Sequence, residues 1–458
     1  MDKPSASRES GNSTVRQRLG AMLSRGVGAV GGWSSRRLLH ELQQVLNPAL
    51  SDVEGGRHAG AVAGWYAQAR PAQRRECWLL MSERFSLDAS AIGAAYDAYR
   101  QAHGTNGQAQ AEVGLRQAFA APRTRLLQRF SAFPGGVRFL VDLRAELLPE
   151  LRRDKRLAAL DGELQELFST WFDVGFLELR RIDWNSSASL VEKLIKYEAV
   201  HDVRSWEDAK NRLDDDRRCY GFFHPRLPGE PLIFVEVALL REMAAGIEPL
   251  LDVEAAPADL NKASAAIFYS ISSTQAGLRG VSFGNDLIKR VVEQLQSEFP
   301  RLKLFATLSP VPRLRSWLEN NIESLLKSAP ARTRQVLGRE LGLMTLTAAD
   351  MLAALDGVAD WPEGSARARW LLGAAAQYLG RTLTPEGQPL DPVARFHLSN
   401  GARVERINWL GDPSPKGLRQ SYGLMVNYVY HLRLVERHRA QLAQGKVPLS
   451  GVVEALLS

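Results

Sequence analysis

The 458-residue chain contains little cysteine and lacks long apolar runs. Its two cysteines, Cys77 and Cys219, are too few for a disulfide framework and form no metal-binding motif, so they fit a reducing compartment. No segment approaches the roughly 18 uncharged apolar residues that a membrane span requires. The sequence therefore predicts a protein that has no membrane partner.

Metal-binding and nucleotide-binding motifs are also scarce. The eight histidines show no ligand spacing and no H-E-x-x-H, so we expect no bound metal. No Gly-Lys-Ser/Thr sequence follows a glycine-rich loop, which argues against a P-loop nucleotide site. These absences favour chemistry that side chains perform without a metal.

The net charge of +7 is concentrated at the N-terminus. Residues 1–37 contain seven lysines and arginines against two acidic residues, so the rest of the chain is nearly neutral. This distribution argues against a nucleic-acid partner, which usually meets a basic face of a folded domain. The tail is rich in Ser, Gly and Arg, and we expect it to be disordered. It resembles either a bacterial extension of a cytoplasmic protein or a transit peptide for the mitochondrial matrix.

Apolar periodicity divides the rest of the chain into two parts. Residues 38–184 carry apolar stripes at helical spacing and predict an all-α bundle, whose stripes we interpret as core. Residues 185–458 predict an α+β domain, with strands such as Pro231–Leu240 and a helical insertion at about 320–380. The fold class is thus α+β and multidomain, with the helical domain first.

The segment from Ala265 to Arg313 is the most informative part of the sequence. It reads as an apolar strand, a glycine-containing turn, an amphipathic helix, a second apolar strand and a Ser-Pro-Val-Pro turn. A turn from a strand into a helix N-terminus favours phosphate binding, because free N–H groups and the helix dipole point at the ligand. An ordinary strand–helix turn is the alternative.

The turn Arg279–Gly284 resembles the acyl-CoA pyrophosphate loop of the GNAT acetyltransferase superfamily. Arg279 and Gly284 match the pattern Gln/Arg-x-x-Gly-x-Gly/Ala, whereas Ser282 replaces its middle glycine. The turn is not a dinucleotide fingerprint, because G-x-G-x-x-G is absent there. The resemblance implies a GNAT-like fold and assigns CoA binding to the loop residues Arg279, Gly280, Val281, Ser282, Phe283, Gly284 and Asn285.

Two further residues are candidates for catalysis. Ser309 follows the strand Leu304–Leu308 and precedes Pro310, at the carboxyl end of a strand where open sheets gather their sites. His397 lies between the helical insertion and a turn. A serine before proline is often only a turn former, and a lone histidine is often structural, so both alternatives remain open.

Several blocks together resemble the malonyl-CoA decarboxylase family. They cover roughly residues 40–432 and are most specific in the second half: Phe268–Ser272, Thr274–Gly284, Thr307–Pro310, Phe396–His397, Asn400–Ala402, Arg406–Trp409 and Gly423–Tyr430. The resemblance implies conversion of malonyl-CoA to acetyl-CoA and CO2 by a homo-oligomer, either a dimer or a tetramer. An acidic residue often occupies the family's loop at the position of Ser282, and nothing in the sequence shows what replaces it.

Family roles transfer to matching positions. Ser309 and His397 correspond to the catalytic serine and histidine, and Ser270 and Tyr430 correspond to residues that line the active site. The reaction needs no cofactor, because CoA belongs to the substrate and the thioester carbonyl accepts the electron pair. We expect His397 to protonate C2, since an ordinary imidazole has a pKa near neutrality. Ser309 either orients the leaving carboxylate or relays a proton.

Two other functions fit the same sequence. One is acyl transfer from CoA to an amine by a GNAT-type enzyme, and the other is a non-catalytic acyl-CoA sensor. Turnover of malonyl-CoA without an acceptor would separate the three functions.

Overall fold

The computed structural model describes residues 33–281 and 287–457, except for the side chain of Val174. Within those ranges the chain forms two compact units. The first unit comprises residues 33–176, His224–Pro228 and 275–281, and the second comprises the other described residues. The domain boundaries expected at residues 37 and 184 stay predictions.

The first unit is helical. Its first helix begins at Ser35, where the Ser34 side chain accepts the N–H of Arg37. Two of the helices begin with a proline. At the first helical position an N–H would have no partner within the helix, so its absence in proline costs no hydrogen bond. The helices are α1 (Ser35–Val45), α2 (Asp52–Gln68), α3 (Pro71–Arg84), α4 (Ala89–Ala102), α5 (Gln108–Ala118), α6 (Pro122–Phe130), α7 (Gly136–Leu147) and α8 (Ala158–Trp171).

The apolar stripes of this unit form its core, as predicted. Phe139, Leu140 and Leu143 of α7 are buried, as are Leu160 and Leu164 of α8. The Phe139 ring also stacks on a phenylalanine of α6 at a centroid distance of 5.2 Å. Burial of such side chains is the main source of stability for a helical unit.

The second unit contains the strands. They are β1 (Glu178–Ile182), β2 (Arg217–Phe223), β3 (Pro231–Leu240), β4 (Ala265–Ser273), β5 (Leu304–Thr307), β6 (Ser309–Pro310), β7 (Arg403–Asn408) and β8 (Met425–Val429). Among the described residues these eight strands form one mixed sheet in the order β1-β2-β3-β4-β5-β8-β6, with β7 also paired to β8. The pair β4–β5 is parallel and the other pairs are antiparallel.

Helices fill the connections of the sheet. They are α9 (Ala188–Tyr197), α10 (Trp206–Arg212), α11 (Glu248–Leu251), α12 (Leu287–Glu298), α13 (Leu314–Ser328), α14 (Ala331–Glu340), α15 (Ala348–Leu355), α16 (Ala366–Arg381), α17 (Pro392–Ser399), α18 (Pro415–Ser421), α19 (Val435–Ala443) and α20 (Gly451–Glu454). Helices α13 to α16 form the expected insertion before the last strands. The predicted α+β class and the preceding helical region are confirmed.

No helix among the described residues is both long enough and apolar enough to cross a membrane.

Candidate active site

Ser309 lies where the chain passes from β5 to β6. Strand β5 ends at Thr307, one residue earlier than expected, and Ser309 then pairs with Val426 of β8. The Ser309 side chain is 5% exposed, and its hydroxyl donates to Thr307 Oγ1 at 2.9 Å. Thr307 is fully buried, so this hydroxyl has a fixed acceptor.

His397 reaches Ser309 from helix α17. Asp391 caps the helix by accepting the N–H groups of Val393 and Ala394, both at 2.9 Å. The cap fixes the start of the helix six residues before His397. The imidazole is 3% exposed, and its Nε2 lies 3.2 Å from Ser309 Oγ.

Tyr430 completes the cluster from the end of β8. Its hydroxyl lies 2.8 Å from His397 Nδ1. The Tyr428 ring, also on β8, stacks on the imidazole at a centroid distance of 4.7 Å. A hydrogen bond and a ring contact thus fix both the position and the plane of the imidazole.

The geometry of these contacts assigns a direction to the hydrogen bonds. Because Ser309 donates to Thr307, its oxygen is left to accept the Nε2–H of His397. The imidazole is then the Nε2–H tautomer, and its Nδ1 accepts the Tyr430 hydroxyl. Ser309 therefore does not direct its proton at the histidine, as an activated serine nucleophile would.

Burial changes the protonation of this cluster. It lowers the pKa of His397 to about 3 and raises the pKa of Tyr430 above its usual range. The ordinary imidazole pKa, on which the general-acid role was predicted, therefore does not hold in this buried site. The imidazole is neutral there at physiological pH, and its direct partners Ser309, Tyr428 and Tyr430 are uncharged too.

We expect the ring signals of His397 in a histidine-labelled NMR sample to stay unchanged between pH 5 and 8. The imidazole has lost its proton well above its depressed pKa of about 3, so no charge change occurs in that interval. The His397→Gln variant would assign the signal by its disappearance. A titration of this signal near the ordinary value of about 6.5 would contradict the neutral, buried imidazole.

The expected site residue Ser270 belongs to a different hydrogen-bond cluster of the same unit. Its hydroxyl lies 2.8 and 2.7 Å from the two carboxylate oxygens of Glu198, and Ser272 also donates to Glu198. The N–H groups of Val200 and His201 donate to the same carboxylate at 2.7 and 2.9 Å. The structure therefore joins Ser309, His397 and Tyr430 by direct contacts, and gives Ser270 a carboxylate partner instead.

The expected CoA loop is described in part. Arg279, Gly280 and Val281 follow a short 3-10 turn, Ala276–Leu278, and Gly280 has a φ of +82° that favours glycine. The expected residues Ser282, Phe283, Gly284 and Asn285 lie outside the described residues. The phosphate-binding role of the loop stays a prediction.

Sequence reasoning missed four residues that support the site. Thr307 and Tyr428 contact Ser309 and His397, Asp391 caps α17, and Glu198 holds Ser270. Asp391 followed by Pro392 is a readable helix-start signal. Thr307 lies only two residues before Ser309. The roles of Tyr428 and Glu198 depend on contacts between residues far apart in the chain, for which the sequence offers no local signal.

Comparisons with known proteins find two matching family models and similar relatives. The family model "Malonyl-CoA decarboxylase C-terminal domain" matches residues 175–458, and "Malonyl-CoA decarboxylase N-terminal domain" matches residues 85–172. The mitochondrial malonyl-CoA decarboxylase of Rattus norvegicus is 36% identical over 406 residues, which are 82% of this chain and 80% of that protein.

Solved structures are similar as well. The crystal structure of malonyl-CoA decarboxylase from Rhodopseudomonas palustris has a TM-score of 0.81 and 39% identity, covering 92% of this chain and all of that one. The enzyme from Cupriavidus metallidurans has a TM-score of 0.76 and 42% identity, covering 92% of this chain and 99% of that one.

Proposed function

The chain belongs to the malonyl-CoA decarboxylase family, and we propose that it is a carboxy-lyase that converts malonyl-CoA to acetyl-CoA and CO2. The observation that carries the proposal within the structure is the buried chain of contacts from Tyr430 through His397 to Ser309. This series of contacts brings together an imidazole and two hydroxyl groups, which are groups that can orient a carboxylate and transfer a proton.

The proposed reaction balances without a cofactor. The bond between C2 and the carboxylate carbon breaks, CO2 leaves, and the electron pair passes to C2 and the thioester carbonyl as an enolate. One proton then adds to C2 and gives acetyl-CoA. The thioester accepts the electron pair itself, so the protein must orient the malonyl group, stabilise the enolate oxygen and deliver one proton.

His397 acquires its proton with the substrate in this mechanism. The malonyl carboxylate brings a negative charge to the buried site, and a nearby anion raises the pKa of an imidazole. The imidazolium then protonates C2 as the negative charge moves from the carboxylate to the enolate. Burial alone lowers the pKa of His397 to about 3, so the imidazolium is a strong acid once this charge is neutralised.

Ser309 orients the leaving carboxylate in our proposal. Its hydroxyl donates to Thr307 at 2.9 Å, and it turns towards the substrate when the carboxylate accepts this hydrogen bond instead. Orientation then needs only a hydrogen bond, whereas a relay through Ser309 would also break its O–H bond. A carboxylate held out of the thioester plane aligns its breaking bond with the carbonyl π system. Tyr430 fixes the imidazole through Nδ1.

Family membership supports the proposed roles of the CoA loop and of Ser270. We propose that Arg279 to Asn285 bind the CoA pyrophosphate and that Ser270 lines the malonyl site. We also propose a homo-oligomer without nucleic-acid or membrane partners. We propose that the protein is located in the cytoplasm or in the mitochondrial matrix. Its two buried free cysteines support this location, since both compartments are reducing.

The purified protein is expected to release CO2 and acetyl-CoA in equal amounts from malonyl-CoA without an acceptor. Decarboxylation needs no second substrate, because the proton comes from the site and solvent. Chromatography of the CoA esters with trapping of labelled CO2 measures both products. Turnover only after addition of an amine would indicate an acyltransferase, and binding without turnover would indicate a sensor; either result would overturn the proposal.

A further inference from the structure

A buried arginine of the helical unit holds the loop that follows β4. Arg144, on α7, is 1% exposed. Its Nη1 donates to the carbonyl oxygens of Gly277 and Arg279, both at 2.9 Å. A single guanidinium therefore fixes two peptide groups of the described loop, Ala276–Val281.

A second side chain holds the next peptide. Gln165, on α8, donates from Nε2 to the carbonyl oxygen of Gly280 at 3.2 Å. Its Oε1 in turn accepts from Arg144 Nη2 at 3.1 Å. The two side chains form one hydrogen-bonded group, which reaches the carbonyls of Gly277, Arg279 and Gly280.

The loop is also packed tightly against α7. A Cβ atom added to Gly277 would lie 1.8 Å from the carbonyl oxygen of Val141, a distance that no side chain tolerates. Close approach of this kind requires glycine. The position of the loop is therefore set by backbone packing as well as by hydrogen bonds.

The charge of Arg144 is already compensated. Its Nε donates to Asp161 at 2.7 Å, and the two groups form a salt bridge in which the arginine is almost fully buried. Arg144 is thus arranged to orient peptide groups rather than to attract an anion itself. A carbonyl held in one direction also fixes the direction of the N–H in the same peptide plane.

We infer that Arg144 is a positioning residue for the CoA moiety, and that α7 and α8 set the geometry of the loop through Arg144 and Gln165. The inference rests on the proposed function of that loop, and it gives the helical unit a part in substrate binding. Without the guanidinium, the carbonyls of Gly277 and Arg279 lose their donor and the loop relaxes. The affinity for the phosphate-bearing part of CoA then falls, while the chemistry at the malonyl group stays the same.

The test compares Arg144→Met with wild type on malonyl-CoA and on malonyl-pantetheine, which lacks the nucleotide and its phosphates. We expect KM for malonyl-CoA to rise about tenfold or more with kcat nearly unchanged, since contacts to the phosphates bind the substrate and the transition state equally. For malonyl-pantetheine, kcat/KM stays unchanged. A KM for malonyl-CoA that does not rise, or an equal loss with both substrates, overturns the inference.

Arg123→Met is the matched control. Arg123 is another buried arginine of the same unit, bonded to Glu163 and to the Ser82 carbonyl, and it does not contact the loop. Its loss is expected to lower the thermal stability without a selective change in KM. If Arg144→Met does not fold, Gln165→Leu removes the bonds to Gly280 and to Arg144 Nη2 but keeps those from Arg144 to Gly277 and Arg279, and it is expected to give a smaller rise in the same KM.

Calorimetry of acetyl-CoA binding separates this inference from the proposed reaction. Acetyl-CoA that binds wild type at least tenfold more tightly than Arg144→Met supports the inference even if malonyl-CoA is not turned over. Equal affinity for the two proteins overturns it, whatever the activity of the wild type.

Discussion

Replacing His397 with glutamine is expected to lower kcat for malonyl-CoA decarboxylation by about 10²- to 10⁴-fold. Glutamine keeps a donor for Ser309, but it cannot take up and release a proton at neutral pH. The substitution thus removes the proposed acid for C2 while leaving a polar side chain in the buried site. Steady-state CO2 release at saturating malonyl-CoA measures the effect.

His438→Gln is the control for this experiment. His438 is also buried in the second unit, and its Nδ1 lies 2.9 Å from the Gly401 carbonyl oxygen, outside the cluster of His397. We expect this variant to lose stability but to retain its kcat. A His397→Gln protein with a native circular dichroism spectrum and a near-normal kcat would refute the assignment of His397 as the acid.

Local patterns predicted much of the fold. The strand Pro231–Leu240 was predicted with the bounds that the structure has, because an almost wholly buried strand reads as a continuous apolar run. Strand β2 was harder to predict, since it begins with Arg217 and Arg218, which are nonetheless buried. Arg218 is buried against Glu298 of α12, and such pairing depends on tertiary contacts that periodicity does not contain.

The site was predicted through the family resemblance rather than through local patterns. Ser309, His397 and Tyr430 come from three separate elements, and a lone serine or histidine has no distinctive spacing. The depressed pKa of His397 was beyond prediction, because it arises from burial of α17 against neighbouring elements. In the proposed mechanism, the same burial makes the protonation of His397 dependent on the charge of the substrate.

Replacing Ser309 with alanine is expected to lower kcat by about 10²- to 10³-fold, a loss typical of removing one preorganised polar group from an active site. The hydroxyl that orients the carboxylate disappears, and His397 Nε2–H loses its acceptor. The same assay measures the effect. Ser421→Ala is the control, since Ser421 is equally buried but donates to the Leu424 carbonyl instead; its kcat should match that of the wild type.

Isotope effects on Ser309→Ala distinguish orientation of the carboxylate from proton relay. If Ser309 orients the carboxylate, its loss slows cleavage of the C–C bond, so the carboxyl ¹³C isotope effect on CO2 release should rise. If Ser309 relays the proton, its loss slows protonation of C2, so the ¹³C effect should fall and the solvent deuterium effect should rise. Both roles require the hydroxyl of Ser309 to turn from Thr307 to the substrate, but orientation needs only a hydrogen bond whereas a relay also breaks the O–H bond, and we therefore expect the first result.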